Sequence, residues 1–408
     1  MSLWRLALRN LSRNRRRSVL TGGVVVLGFA AFALAGGFMA QSLEGLREGT
    51  IRSGMGHLQF AEPAAFGAGA TGSLEHGLAG ADRIEAALRG HREVAEVLPR
   101  IDFVGLASNG ARTIPFLGVG LDPEPEARTM DHPKTLSAGR WLADREERGV
   151  VLGNGLAESL ALGLGEVVTL LATTTDGTLN AVDAEVVGLA SLPMKEIDDR
   201  YLASSLGLAS DLLAARGRVS RVVVVLRDTR EAGPALERLQ ATLRAAGFDL
   251  RGKTWEELAQ FYRQVRLLYV GIFGFLGVVL VVVVILASAN TMLMAAAERT
   301  REIGTLRALG TRPGFIRRLF IAEGVVLAVL GCAAGALLSL AVRYVLNHSG
   351  IMLPPPPGAT QGTPLHIKLY GVAYASGAVA MIGTMVLASW LPARRASRAS
   401  IVEALAHV

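Results

Sequence analysis

The chain has 408 residues, 51% of them hydrophobic and 19% charged, with a net charge of +7. It is too apolar for a wholly water-soluble protein and too charged for one wholly in lipid, so a membrane part joined to a sizeable water-facing part is expected. A single cysteine, Cys332, excludes an intramolecular disulfide and a cysteine metal cluster, and the seven histidines show no ligand spacing such as HExxH.

Residues 1–17, MSLWRLALRNLSRNRRR, read as a basic, partly amphipathic cytoplasmic helix with Trp4 as interfacial anchor. An uncharged run, 18–43, follows. A signal peptide also starts basic, but its apolar core is only about 7–15 residues long. The longer run here predicts an uncleaved first span. Residues 44–265 predict an extracytoplasmic domain large enough to fold by itself. Its strand-like pieces are His57–Phe60, Thr113–Gly120, Val167–Ala172, Ala184–Leu189 and Val219–Leu226. Its helix-like pieces are Asp82–Arg89, Gly155–Leu162, Asp199–Ala214 and Ala235–Ala246. The mixture predicts α+β, and the Ala/Gly-rich Glu62–Gly80 reads as a mobile loop.

Three more spans are expected at 266–297, 319–342 and 369–393, each long enough to cross about 30 Å of hydrocarbon. The fold class is therefore a four-span α-helical membrane protein carrying a large α+β domain. The basic excess is uneven. Residues 1–17 hold six Arg and no acid, 295–318 six Arg against two Glu, and 393–408 three Arg against one Glu. With four spans, all three segments share one side, as the positive-inside rule requires. Charge placed this way marks membrane sidedness rather than a nucleic-acid surface. Both termini, including the 394–408 tail, would be cytoplasmic, and the 343–368 loop, with its stiff Pro354–Pro357 spacer, external.

The segment between the second and third spans, 298–318, is short, charged and patterned as a helix. Ile303, Leu306 and Leu309 recur at three-residue steps as an apolar stripe, beside a polar stripe of Glu298, Arg301, Glu302 and Thr305. Gly310 and Pro313 mark its end. From pattern alone it also reads as a basic loop that only fixes topology. Glu323, at the edge of lipid, needs protein, water or an Arg, with Arg317 and Arg318 as candidate partners. Gly331 and Gly335, and Gly271, Gly274 and Gly277, are small-residue steps suited to helix packing within the chain or in a dimer. GFDLRGKT, 247–254, fits GxxxxGK[ST] but follows a helix-like segment rather than a buried strand, so it is not expected to cradle phosphate. No catalytic constellation emerges.

ERTREIG-LRALG in Glu298–Gly310 resembles the signature of the permease family that includes the lipoprotein-releasing permeases, the macrolide-exporter type and the cell-division permease. The tail LPARRASRASIVEAL resembles that family's PARRAxxxxPxEAL ending, with Ile401 in place of Pro. GHLQF at 56–60, FLGVGLDPEPE at 116–126, SAGRWL at 137–142, VVLGNGLAESLALGLGEVVTL at 150–170 and TWEEL at 254–258 resemble its lipoprotein-releasing branch. The resemblance implies a non-catalytic permease subunit of the bacterial inner membrane, without a cofactor of its own. It would work as a homo- or heterodimer among membrane lipids, with ABC-type ATPase subunits that bind the ATP. It places the ATPase contact, the coupling helix, at Glu298, Arg299, Arg301, Glu302, Ile303 and Leu306. A lateral substrate entrance falls near Phe29, Phe32, Met39, Phe273 and Leu276. The implied function is extraction of a lipoprotein or other lipophilic substrate from the outer leaflet, handed on to a periplasmic carrier. Mechanical drive of an efflux adaptor, or a scaffold that activates a cell-wall hydrolase, are the alternatives.

Overall fold

The computed structural model describes residues 3–66, 74, 77–192, 194–353 and 363–398. The centre of the Glu62–Gly80 loop, the Pro354–Pro357 run and the tail around Ile401 lie outside the described residues. The chain divides into two compact units: Met1–Glu44, Val265–Met352 and Pro364–Val408 form one, Gly45–Gln264 and Leu353–Thr363 the other.

The first unit is a bundle of long helices: Arg15–Thr50, Gln260–Glu298, Pro313–His348 and Gly371–Arg398. All four are long and apolar enough to cross a membrane. The first three outrun the segments predicted for them at both ends, because the charged and polar residues there stay helical; the fourth starts two residues later, at Gly371, and runs on to Arg398. The core holds Val25, Phe29, Val284, Phe320, Leu327 and Met385. Gly331 and Gly335 bring the first and third spans together: a methyl group at Gly331 would lie 2.7 Å from Val25 Cγ1, and one at Gly335 2.7 Å from the Val26 carbonyl. Close backbone approach of this kind substitutes for a hydrophobic drive that is absent between helices in lipid. Gly271 and Gly274 of the second span face open space. That span buries 6% of its most apolar window, against 33% for each of the others.

The second unit is built on strands β1 (Leu58–Ala61), β2 (Leu78–Ala79), β3 (Val94–Ser108), β4 (Thr113–Leu121), β5 (Leu136–Gly139), β6 (Gly149–Gly153), β7 (Val167–Thr173), β8 (Leu179–Ala190), β9 (Tyr201–Ser205), β10 (Arg218–Val219), β11 (Arg221–Leu226) and β12 (Arg251–Thr254). Six of them close a ring in the order β3-β4-β9-β6-β8-β7 and back to β3. The fifteen-residue β3 is shared with a second layer, β12-β1-β11-β3. Against that layer lie helices Ala81–Arg89 and Ala232–Ala245, burying Ile84, Leu88, Leu239 and Leu243.

Two expectations are corrected. Asp199–Ala214 is not one helix: Tyr201–Ser205 runs as a buried strand parallel to β4, and the helix is only Leu206–Leu212. The Ser205 hydroxyl accepts from the Leu208 N–H at 3.1 Å, so a cap sits where continuous helix was expected. β3 was missed altogether, because Val97–Ile101 is buried on both faces and gives no alternation, and Pro99 and Gly105 read as breakers. The reading of 247–254 holds: helix Ala232–Ala245 precedes it, and Gly252 and Lys253 lie within β12.

A buried charge cluster fastens this unit internally. Arg100 donates to Glu126 through Nε at 2.6 Å and Nη2 at 2.8 Å, and its Nη1 donates to the Gly54 carbonyl. Gly54, at φ +118°, breaks the helical path of Ile51–Met55 and turns that carbonyl toward the guanidinium. His132 stacks on Trp141 and lies 3.5 Å from Glu126. Burial alone would push the Glu126 carboxyl up, but the Arg100 charge and hydrogen bonds, with His132 close by, hold it down at about 2.

Candidate coupling site

The second span ends at Glu298, and Arg299 leaves helical geometry at φ −101°, ψ 13°. A new helix runs Thr300–Ala308. Its end is set by Gly310 at φ +90°: Gly310 N–H donates to the Arg307 carbonyl and Thr311 N–H to that of Leu306, both at 3.0 Å. These two bonds are the Schellman pattern, which glycine favours. Arg312 and Pro313 then open the third span.

One side of this short helix is fixed. Ile303 is buried in the bundle core. Arg299, 9% exposed, donates through Nη1 to Glu323 Oε1 at 3.1 Å and through Nη2 to the Asn10 carbonyl at 3.3 Å. Asn10 in turn donates from Nδ2 to Glu323 at 2.6 Å. Two outer ion pairs flank this knot, Arg13–Glu302 at 2.7 Å and Arg17–Glu298 at 3.2 Å. The basic N-terminal helix, Leu3–Arg13, is thereby tied to the start of the short helix and to the third span. Its residues Asn10 and Arg13, with Arg17 beyond, were not anticipated as partners. The available signal was their spacing of three and four, which matches the spacing of Glu298 and Glu302.

The other side is open. Arg301 is exposed, Leu306 is 42% exposed and Leu309 80%. The apolar stripe expected along Ile303, Leu306 and Leu309 is therefore corrected, since only Ile303 packs. Each three-residue step rotates the side chain by about 60° away from the previous one, which carries Leu309 round to solvent. The Glu323 partner is corrected too: Arg317 and Arg318 are exposed, and Arg299 holds the carboxylate. Of the six residues assigned to the ATPase contact, Arg299 and Ile303 face the bundle, Glu298 and Glu302 carry arginine partners, and Arg301 and Leu306 point outward.

The residues assigned to an entrance are spread out. Phe29 is a core residue, edge-on to Tyr374 at 6.0 Å. Phe32 and Met39 are half-buried. Phe273 packs on Phe38 at 6.3 Å and on Tyr269 at 5.9 Å, and Leu276 is exposed.

Four membrane-length helices, a short ion-paired helix between the second and third, and an α+β domain between the first and second define a polytopic membrane protein of permease type. The model of the MacB-like periplasmic core domain matches residues 18–242, more than half of the chain, and that of the FtsX-like permease C-terminal matches 274–401. The chain belongs to this FtsX/MacB family of ABC transporter permeases. It is 33% identical over 137 residues to the ABC transporter permease YtrF of Bacillus subtilis, covering 32% of this chain and 31% of YtrF. With the lipoprotein-releasing system transmembrane protein LolE of Haemophilus influenzae it shares 23% over 274 residues, 65% of this chain and 64% of LolE. The periplasmic region of MacB from Actinobacillus actinomycetemcomitans aligns at a TM-score of 0.38 and 15% identity, over 52% of this chain and 95% of that region. The chain spans less than two thirds of the length of YtrF and of LolE.

Proposed function

We propose that the chain is the membrane subunit on which a separate ABC-type ATPase pulls, and that Thr300–Ala308 is where it pulls. One observation carries this: the helix is fixed along one side by Ile303 and Arg299 and bare along the other at Arg301, Leu306 and Leu309. A patch of two leucines beside an arginine suits docking into a protein groove and has no role in a solvated loop. ATP would be bound and hydrolysed on the partner. The three basic segments support a reading with the helix and both termini in the cytoplasm and the α+β unit outside the inner membrane.

The cargo proposed is a lipoprotein or another lipophilic molecule taken from the outer leaflet. The alignment with LolE over 65% of this chain supports that choice. The match of residues 18–242 to the MacB-like core domain supports a second reading, in which the outer unit drives a periplasmic adaptor. The open second span supports pairing with a second permease copy or a sister chain.

Coexpression with the cognate ABC-type ATPase tests the main reading. Complex formation and ATP turnover in liposomes are measured for the native chain and for Leu306→Asp with Leu309→Asp. Loss of both supports the docking face, and retention of both sinks it. Release of a fluorescent lipoprotein to a soluble carrier, against stimulation by an adaptor, separates the two cargo readings.

A further inference from the structure

The first and third spans leave a furrow of about 450 Å³ between them, lined by Val19, Gly22, Gly23, Val26, Leu327 and Leu330. Its walls are apolar throughout. Val19, Gly22, Gly23 and Val26 recur at three- and four-residue steps, so they share one face of the first helix. Arg15 and Arg16 fall on that same face, one turn before Val19. Both are exposed. Their neighbours Arg13 and Arg17 are held by Glu302 and Glu298, but among the described residues no carboxylate pairs with Arg15 or Arg16. The N-terminal helix beside them exposes Trp4 and Leu8 together with Arg5 and Arg9 and buries Ala7. That is the pattern of a helix lying in the headgroup layer.

Among the described residues nothing fills the furrow. A methyl group at Gly23 would meet no atom within 4 Å, and one at Gly22 only Leu327, at 3.4 Å. Packing within the chain does not require glycine at 23. We propose that the furrow seats an acyl chain of an anionic glycerophospholipid, whose phosphate is held by Arg15 and Arg16. A neighbouring helix in the same place would satisfy the apolar walls and leave the two guanidinium groups without an anion. The site is separate from the ATPase-docking face and does not depend on it.

The test uses the full-length protein in nanodiscs of phosphatidylcholine doped with phosphatidylglycerol, with retained lipid counted by native mass spectrometry. The native chain is expected to retain phosphatidylglycerol in preference to phosphatidylcholine. Arg15→Gln with Arg16→Gln should lower that preference on the order of thirtyfold, the loss of two interfacial charges. Gly23→Leu, whose Cβ would meet no atom within 4 Å, puts an isobutyl group into the furrow and should displace both lipids. Unchanged phosphatidylglycerol retention by the arginine double variant overturns the proposal. So does disulfide cross-linking of Gly23→Cys between two copies in the bilayer, which would make the furrow a protein interface. The arginines are at the surface, so their variant reports even if Gly23→Leu does not fold.

Discussion

Arg299 and Glu323, twenty-four residues apart, meet at 3.1 Å with both side chains almost wholly buried. One stands at the break between the second span and the short helix, the other in the third turn of the helix Pro313–His348. Asn10 closes the triangle from the N-terminal helix. One guanidinium therefore joins the end of the second span to the third span and to the N-terminal helix. Removing one partner of a buried pair leaves an uncompensated charge and costs about 3–5 kcal/mol. Arg299→Met and Glu323→Leu are each expected to lower the melting temperature in detergent clearly, and the double variant less than their sum. Additive losses would show that the two do not act as a unit.

The two sides of the short helix should separate stability from docking. Ile303→Asp places a charge in the core and is expected to cost more than about 3 kcal/mol. Leu309→Asp changes an exposed residue and should stay within about 0.5 kcal/mol. Melting curves read the first effect. ATPase pull-down reads the second, with Leu309→Asp expected to lose the partner while melting like the native chain. A Leu309→Asp chain that melts early would mean the leucine is packed in the membrane.

Much of this was legible in the sequence, and what was not has identifiable causes. The four spans follow from length and apolar composition, which the bilayer enforces. Gly310 as the stop of the short helix follows from local geometry alone. The partner of Glu323 did not, since Arg317 and Arg318 are near in sequence while Arg299 is brought in by a break at its own backbone. The closed six-stranded ring depends on pairings such as Leu106 with Leu171, which no local pattern encodes. Ser205 illustrates the same limit: its hydroxyl caps a helix only because Tyr201–Ser204 is drawn into a parallel pairing with β4.

The Arg100–Glu126 pair makes the stability of the α+β unit depend on acid. The Glu126 carboxyl sits at about 2, below its ordinary 4.5. A depressed carboxyl contributes stability that is complete above the ordinary value and is lost as pH falls toward the folded one, here between 4.5 and about 2. The contribution is on the order of 3 kcal/mol. Glu126→Gln should be less stable than the native chain at pH 7, and the gap should shrink on acidification through that window. Tryptophan fluorescence during denaturant unfolding at several pH values measures it. A gap constant from pH 7 to 2.5 would mean that Glu126 is not ionised in the folded protein.

Two glycines in neighbouring spans should answer differently to one substitution. Gly331 faces Val25 closely enough that a methyl group would overlap it, so Gly331→Leu must part the first and third spans. Overpacking of this kind costs about 1–3 kcal/mol, and the variant is expected to melt early as an isolated chain. Gly274 faces open space in a span that buries little of itself. Gly274→Leu should leave the melting of the isolated chain unchanged and weaken its association with a second permease copy, because a small residue that serves no neighbour within the chain permits close approach only from outside it. Copurification of differently tagged copies, with and without Gly274→Leu, measures this. Equal recovery of the two would place the permease contact on another face.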